Sequence, residues 1–303
     1  MSAPLDVVLA HTRTRLTRAG ITSADAEARV LLAHMLGVDR GELARRLILG
    51  GHLPADVAPT FAALVSRRCA REPLQHLTGL AAFRRLELHV GPGVFVPRPE
   101  TEVVAGLAID ALRLVDGRRP IAVDLCTGSG AIALALADEV PEAIVHAVEL
   151  SQDALAWTRR NVEHTGLEVT VHAGDATDAR FAAVPELAAL TGTVDVVVSN
   201  PPYIPSDMVP VDVEVAEHDP HQALYGGGDD GLDIPRRVLA AAAALLRPGG
   251  VVVMEHADTQ SDALVGHLRA AGGWREVTAH DDLTGRPRAV SARREMASGI
   301  PGT

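Results

Sequence analysis

Ser199-Asn200-Pro201-Pro202-Tyr203 follows directly on the apolar run Val194-Asp195-Val196-Val197-Val198. A buried strand would deliver these residues to its C-terminal end, where open α/β sheets bind ligands. The prolines fix φ and donate no hydrogen bond, so the backbone is stiff and its carbonyls stay free. Asn200 adds a side-chain acceptor and Tyr203 a flat aromatic face. That set suits a planar group bearing an NH2, an amide or an exocyclic base amine. Asn-Pro and Pro-Pro are also ordinary loop punctuation, so the tetrapeptide takes its meaning from what precedes it.

Asp124-Leu125-Cys126-Thr127-Gly128-Ser129-Gly130 stands between a predicted strand and its helix. The glycines permit a tight turn and let a ligand approach backbone at the helix N-terminus. Glu149 follows 25 residues after Asp124, at the end of the next strand, where a carboxylate takes ribose hydroxyls. Together these point to a nucleoside cofactor without separating NAD from S-adenosylmethionine. Three features then favour S-adenosylmethionine. Asp124, just before the turn, suits a cationic sulfonium and amino group better than a pyrophosphate. Asp175, in Ala173-Gly174-Asp175-Ala176 after a third strand, can accept from an adenine amine. The fourth strand ends in Asn200 to Tyr203, where a dehydrogenase needs a proton donor and a hydride-acceptor pocket.

The elements that must position these groups read as alternating strands and helices from Ile121 onward, the signature of a mainly parallel, doubly wound sheet. Strands are expected at 121–125, 144–149, 169–173, 194–199 and 251–255, with two more near 276–280 and 289–293. Helices are expected at 131–138, 153–165, 234–246 and 258–271. Residues 204–231 are Pro- and Gly-rich and lack periodicity, so a functional lid or disorder is expected there, with Ala223–Gly228 and Asp230–Leu232 as a lid or substrate-loop rim. Ahead of the sheet, Leu86, Leu88 and Val90 alternate with polar residues. Gly91-Pro92-Gly93 then turns the chain into Val94-Phe95-Val96, which predicts a hairpin. Helical spacing recurs through residues 5–71, with a capping start at Thr22-Ser23-Ala24-Asp25 and Val30, Leu31, His34 and Met35 on one face. The expected organisation is a helical docking domain over 1–75, a hairpin linker over 76–97 and a catalytic domain over 98–303.

Composition narrows the function classes. A hydrophobic content of 47% with no uninterrupted apolar run of about 18 residues predicts a globular protein without a membrane span, and the charged N-terminal residues predict no signal peptide. Two cysteines form neither a disulfide framework nor a metal cluster, which fits a reducing cytoplasm. The net charge of −11 disfavours tracking a phosphate backbone, although residues 1–75 carry 10 Arg against 7 acids. All 28 basic side chains are Arg, a compositional habit rather than a functional signal. Glu217-His218-Asp219-Pro220-His221 lies in a Pro-broken loop with no supporting ligands, so no metal site is expected. Cys126 has no apparent His base and is read as lining the cradle; Trp157 is read as packing.

With these residues in hand, the chain resembles the class I S-adenosylmethionine methyltransferases of the Asn-Pro-Pro-Tyr branch. More narrowly, it resembles the HemK-like (PrmC family) release factor glutamine N5-methyltransferases. Arg71-Glu72-Pro73-Leu74-Gln75-His76-Leu77-Thr78-Gly79 is similar to that family's linker. Phe95-Val96-Pro97-Arg98-Pro99-Glu100-Thr101-Glu102 and Asp282-Leu283-Thr284-Gly285-Arg286-Pro287-Arg288 are similar to two further motifs. The resemblance implies an all-α N-terminal domain, a β-hairpin linker and a seven-stranded Rossmann-like sheet with a final antiparallel strand. It implies that Cys126, Thr127, Gly128, Ser129 and Gly130 cradle the methionine portion of the cofactor. Glu149 would bind ribose, and Asp175 with Ala176 would border the adenine. Cys126 stands where many members have Gly, and Ala176 where some have an aromatic. The implied acceptor is the Gln of the Gly-Gly-Gln tip of class I peptide release factors.

An amide nitrogen is a poor nucleophile because its lone pair is delocalised, so orientation must supply much of the rate. The Asn200 side-chain carbonyl and the Pro201 backbone carbonyl are expected to accept the two N–H bonds, with Pro202 stiffening the turn, Tyr203 beside the amide and Phe95 closing the pocket. Rival readings are a glutamine methyltransferase acting on a ribosomal protein, an exocyclic-amine methyltransferase acting on RNA or DNA, and a cofactor-binding module without catalysis. A cytoplasmic monomer that binds no nucleic acid stably is expected.

Overall fold

The computed structural model describes residues 2–295, which fall into two compact units. The first comprises residues up to Leu80 together with Val211–His218; the second comprises Ala81–Pro210 and the chain from Asp219 onward. Thus the long segment after Tyr203 leaves the second unit for eight residues and then returns to it.

The first unit contains β1 (Ala3–Pro4), α1 (Leu5–Arg18), α2 (Ala24–Leu36), α3 (Arg40–Ile48), β2 (His52–Leu53), α4 (Ala58–Cys69) and α5 (Leu74–Thr78). Leu5, Leu9, Leu16, Leu31, Leu32, Phe61 and Val65 form its core. Two local expectations change. Ser23 makes no capping bond; its hydroxyl instead donates to Glu27 at 2.8 Å. The buried face of α2 runs through Ala24, Ala28, Leu31 and Leu32, and His34 faces solvent. Gly37 closes α2 in the left-handed conformation, as its type predicts. Arg68 sits on the buried face of α4 because carboxylates meet it there: Glu27 at 2.5 Å and Glu214 at 2.9 Å, while Arg71 reaches Glu214 at 2.6 Å.

The second unit opens with β3 (Leu80–Phe83) and β4 (Leu86–His89), which form a two-stranded sheet across Arg84-Arg85. The hairpin therefore lies one strand earlier than expected, and Val94-Phe95-Val96 is not a strand. The reason is local. Arg84 takes a φ of 52°, and Glu102 and Glu139 hold its backbone and guanidinium, making a turn without glycine. Gly91 serves packing instead: a Cβ there would lie 2.6 Å from the Trp157 ring.

There follow α6 (Pro99–Arg113), β5 (Ile121–Leu125), α7 (Ala131–Glu139), β6 (Ile144–Glu149), α8 (Gln152–Thr165), β7 (Val169–Ala173), α9 (Pro185–Ala188), β8 (Val194–Ser199), α10 (Val213–His218, in the first unit) and α11 (His221–Leu224). The chain then forms α12 (Asp233–Leu245), β9 (Leu246–Glu255), α13 (Ser261–Ala271), β10 (Trp274–Asp281) and β11 (Pro287–Arg294). The strand order is β10-β11-β9-β8-β5-β6-β7, with β11 antiparallel to both of its neighbours. Successive residues alternate between the sheet's two faces. Ala122, Val196 and Val198 join α6 and α7 in one core, while Val123, Leu125 and Val197 join α12 and α13 in the other. Strand β8 is buried along its whole length, as its Val-rich sequence requires. Strand β9 begins five residues before the expected Val251, because Pro248-Gly249-Gly250 continues the strand through a register shift against β8. Helix α13 starts later than expected, since Gln260 turns back to accept from the Ala257 N–H at 2.9 Å. Among the described residues no helix is long and apolar enough to cross a membrane.

Arg68 is only 6% exposed, and replacing it removes the cation from the half-buried Glu27 while Glu214 keeps Arg71. Arg68→Ala is expected to lower unfolding free energy by about 2 kcal/mol in chemical denaturation.

Candidate active site

Strands β8, β5, β6 and β7 lie side by side, and each parallel strand ends at the same edge of the sheet with one of the expected groups. The order of strands reverses between β5 and β8, which is where such sheets bind ligands. Leu125 pairs with Ser199, and the Ser199 hydroxyl donates to the Leu125 carbonyl at 2.6 Å. The glycine-rich turn beginning at Cys126 and the acceptor stretch beginning at Asn200 therefore leave adjacent strands at the same level.

The turn is shaped by backbone conformation. Cys126, Gly128 and Gly130 all have positive φ, at 63°, 59° and 84°. A positive φ favours Gly, so Cys126 is a strained residue in this turn. Burial, with the nearby Glu149 carboxylate, raises the Cys126 thiol pKa, so the thiolate is disfavoured. Nothing lies within 4 Å of the direction a Gly128 Cβ would take, so the turn is open there. The second layer is tight. Thr158 donates to the Gly128 carbonyl at 2.6 Å, and Asn161 donates to the Ser129 carbonyl at 2.9 Å while also bonding both main-chain groups of His89. Trp157 donates to the Pro92 carbonyl, which bears out its reading as a packing residue.

Each acidic residue of the edge has a distinct setting. Asp124 is fully buried; its Oδ2 accepts from Thr127 Oγ1 at 2.5 Å and from the Ala133 N–H at 3.1 Å, capping α7. Its Oδ1 is equally buried and has no hydrogen-bond partner among the described residues. Burial pushes the Asp124 carboxyl up to about 7, against the pull of those two hydrogen bonds. Glu149 accepts from the Gly128, Leu150 and Ser151 N–H groups at 2.8–2.9 Å, so it ties the end of β6 to the cradle. Asp175 is exposed and accepts from the Thr177 N–H and hydroxyl through Oδ1. The Ala176 side chain is buried in the core with Phe181 and Val184, so its main chain is what can border a ligand.

On the acceptor side, Asn200 and Tyr203 are half-buried, and among the described residues the Pro201 carbonyl accepts no hydrogen bond. Residues 224–231 act as a backbone brace for this stretch rather than as a lid. Leu224 accepts from the Tyr203 and Ile204 N–H groups, and Ile204 accepts from Gly226. Gln260 donates to the carbonyls of Tyr203 and Asp230 at 2.7 and 2.8 Å. Glycine is required where the strands of this brace meet: a Cβ on Gly231 would lie 2.2 Å from the Tyr203 carbonyl oxygen. Phe95 is half-buried with the Arg98 guanidinium 5.0 Å over its ring, and Arg98 pairs with the buried Asp219 at 2.6 Å.

Residues absent from the expected site complete it. Asn200 Nδ2 donates to Thr101 Oγ1 at 3.3 Å, and the Tyr203 hydroxyl donates to Glu255 at the same distance. Glu255, at the end of β9, is pushed up to about 7 by burial and held down by Thr101, Arg288 and Tyr203. Burial raises the Tyr203 phenol as well, followed by the adjoining Glu255 charge. Asp282 is held at about 2, chiefly by the Thr284 hydroxyl, and accepts from Arg288 at 3.4 Å. Thr101 and Arg288 lie within the segments singled out in sequence, but without a role there. Glu255 carried one usable signal, an acid ending an apolar strand just as Asp124 and Glu149 do.

A seven-stranded sheet in this order, its last strand reversed and its glycine turn beside the reversal of strand order, is the class I methyltransferase fold. The model of the PrmC N-terminal domain matches residues 8–79, and that of the methyltransferase small domain matches residues 86–217. A release factor glutamine methyltransferase of Streptomyces coelicolor is 52% identical over 290 residues, covering 95% of this chain and 97% of that one. Proteins of the same name from Mycolicibacterium smegmatis and Bifidobacterium longum are 48% and 44% identical. They cover 92% and 94% of this chain, and 94% and 98% of their own. The chain belongs to the release factor glutamine methyltransferase family.

Cys126→Gly is expected to raise stability by up to about 1 kcal/mol by relieving the left-handed strain, as read by thermal and chemical denaturation. Gly231→Ala is expected to displace Tyr203 and lower methyl transfer at least about tenfold while cofactor binding persists, comparing turnover with titration calorimetry.

Proposed function

We propose that this protein transfers a methyl group from S-adenosylmethionine to the side-chain amide nitrogen of the Gln in the Gly-Gly-Gln motif of class I peptide release factors. The observation that carries the reading is the pair of acceptors at Asn200 and Pro201, one strand away from an open glycine turn. The family's name states the reaction of the relatives; the acceptor pair supplies the chemical reason for it here.

The residues of the turn fit the cofactor. Asp124 Oδ1 is a buried acceptor without a partner, which suits a cationic ammonium or sulfonium nearby. Glu149 keeps lone pairs for ribose hydroxyls beyond the three N–H groups it accepts. Asp175 Oδ2 and the Ala176 main chain are available to an adenine. When bound, S-adenosylmethionine supplies an activated methyl group on a sulfonium.

The chain's own work is orientation. Asn200 Oδ1 and the Pro201 carbonyl accept the two amide N–H bonds and so fix the plane and direction of the nitrogen. As positive charge develops on that nitrogen, the same two dipoles stabilise it without reorganising. Pro201 and Pro202 keep the carbonyls fixed, Tyr203 flanks the amide, and Phe95 closes the apolar side. The helical first unit, whose residues 1–75 carry more Arg than acids, serves to dock the release factor. Release factors work on ribosomes, so the reading places the enzyme in the cytoplasm.

Two outcomes are expected. Label from S-adenosylmethionine appears on a class I release factor and not on its tip Gln→Ala variant, and Asn200→Ala abolishes transfer with cofactor affinity unchanged. Label only on ribosomal protein or RNA in parallel reactions would overturn the acceptor. Because the bound cation favours ionised Asp124, apparent cofactor affinity is expected to rise about fivefold as pH goes from about 6 to about 7. Asp124→Asn should flatten that slope in calorimetric titrations.

A further inference from the structure

The backbone of the acceptor stretch leaves the sheet after Ser199, which is paired with Leu125 on one side and Met254 on the other. Pro201 and Pro202 have no N–H to give, so the next backbone donor that can tie the chain down after Asn200 is that of Tyr203. The Tyr203 N–H donates to the Leu224 carbonyl at 3.1 Å. Its carbonyl is held from the other side by a side chain, Gln260.

We propose that Gln260 is a positioning residue for methyl transfer: its side-chain amide fixes the Tyr203 carbonyl and, through the stiff proline pair, the direction of the Pro201 carbonyl that receives the substrate amide. The inference rests on the reading of Asn200 and Pro201 given above.

Gln260 is 5% exposed, and every polar atom of its amide is used. Nε2 donates to the Tyr203 carbonyl at 2.7 Å and to the Asp230 carbonyl at 2.8 Å, while Oε1 accepts from the Ala257 N–H at 2.9 Å. Turned end for end, the amide would set an oxygen against two carbonyls and its NH2 against an N–H, so only one orientation is possible. The three partners belong to three segments: the exit of β8, the brace before α12 and the turn after β9. The far end of each is anchored. The Asp230 carboxylate accepts from the Leu232 N–H at 3.0 Å and pairs with Arg236 on α12. The Gln260 carbonyl accepts from the Leu264 N–H at 3.1 Å, building the residue into the first turn of α13.

The chains around the Tyr203 carbonyl run too close for another side chain to do this work. A Cβ on Gly231 would lie 2.2 Å from the Tyr203 carbonyl oxygen, and one on Gly226 would lie 1.9 Å from the Gly231 carbonyl oxygen. A primary amide reaching in from α13 satisfies two carbonyls from a single nitrogen without bringing a charge. Locked φ angles at Pro201 and Pro202 cannot absorb a displacement at Tyr203, so it passes back to the acceptor carbonyl.

The test uses the full-length protein and reads kcat and KM with release factor, cofactor affinity by calorimetry, and thermal stability. Gln260→Met keeps the length of the arm without donors, and Gln260→Glu sets an oxygen against the two carbonyls. Both are expected to lower kcat by about 10- to 100-fold, Glu more than Met, with KM and cofactor affinity within about twofold of wild type. Gln260→Asn keeps both donors on a shorter arm and should fall between wild type and Met. Leu268, fully buried further along α13, provides the control: Leu268→Ala loosens the same helix with Gln260 in place, and should lower thermal stability while keeping kcat. An equal loss of kcat in Leu268→Ala and Gln260→Met at similar thermal stability would overturn the proposal. Gly231→Ala displaces the same carbonyl, so the Gly231→Ala/Gln260→Met double variant should be little worse than Gly231→Ala alone; losses that multiply would overturn it as well. Wild-type kcat in both Gln260→Met and Gln260→Glu, with Asn200→Ala inactive, would sink this inference and leave the site reading intact. Full turnover in Asn200→Ala would sink both.

Discussion

The structure depends on the parallel pairing of β5 with β8. These strands are adjacent in the sheet but separated in the chain by β6 and β7, so the two turns that follow them diverge to opposite faces and leave a crevice at their shared end. The hydroxyl of Ser199 on the Leu125 carbonyl locks the register at that end. A slip of one residue would exchange the two cores and carry Asn200 away from the level of Cys126. The buried valines of β8 prevent that slip, because each already fills one face or the other.

Around this junction the protein uses acids at strand ends for different physical purposes. Asp124 caps a helix and leaves one buried oxygen without a partner among the described residues; Glu149 organises three backbone N–H groups; Glu255 receives the Tyr203 hydroxyl proton. Two of them are held near neutrality by burial, an expense that a purely structural core would avoid. Such carboxylates are retained where charge or a fixed proton direction is needed.

Much of this was legible from residue types. The five parallel strands and their helices follow from apolar runs of the right length separated by turn residues, and their ends match closely except at the starts of β9 and α13. The hairpin did not, because Gly91-Pro92-Gly93 has the composition of a turn while the actual turn, Arg84-Arg85, owes its geometry to Glu102 and Glu139, which are distant in sequence. The brace at 224–231 had no periodicity to read: its bonds run to Tyr203 and Ile204 through backbone, to which sequence patterns are blind. Likewise Val213–His218 joins the helical unit through Glu214, whose partners Arg68 and Arg71 lie far back in the chain.

By itself the sequence determined the alternating architecture, the glycine turn, the acids at the strand ends and the rigid acceptor stretch. Each of these is a matter of local composition: which side chains can be buried, which backbone angles a residue allows, and which atoms accept a proton. Only the tertiary structure decided that Thr101, Glu255 and Arg288 converge beneath Asn200 and Tyr203, and that Asp124 is sealed from solvent. Those facts depend on strand order and burial, which bring together residues separated by up to 187 positions and set how much a charge costs there.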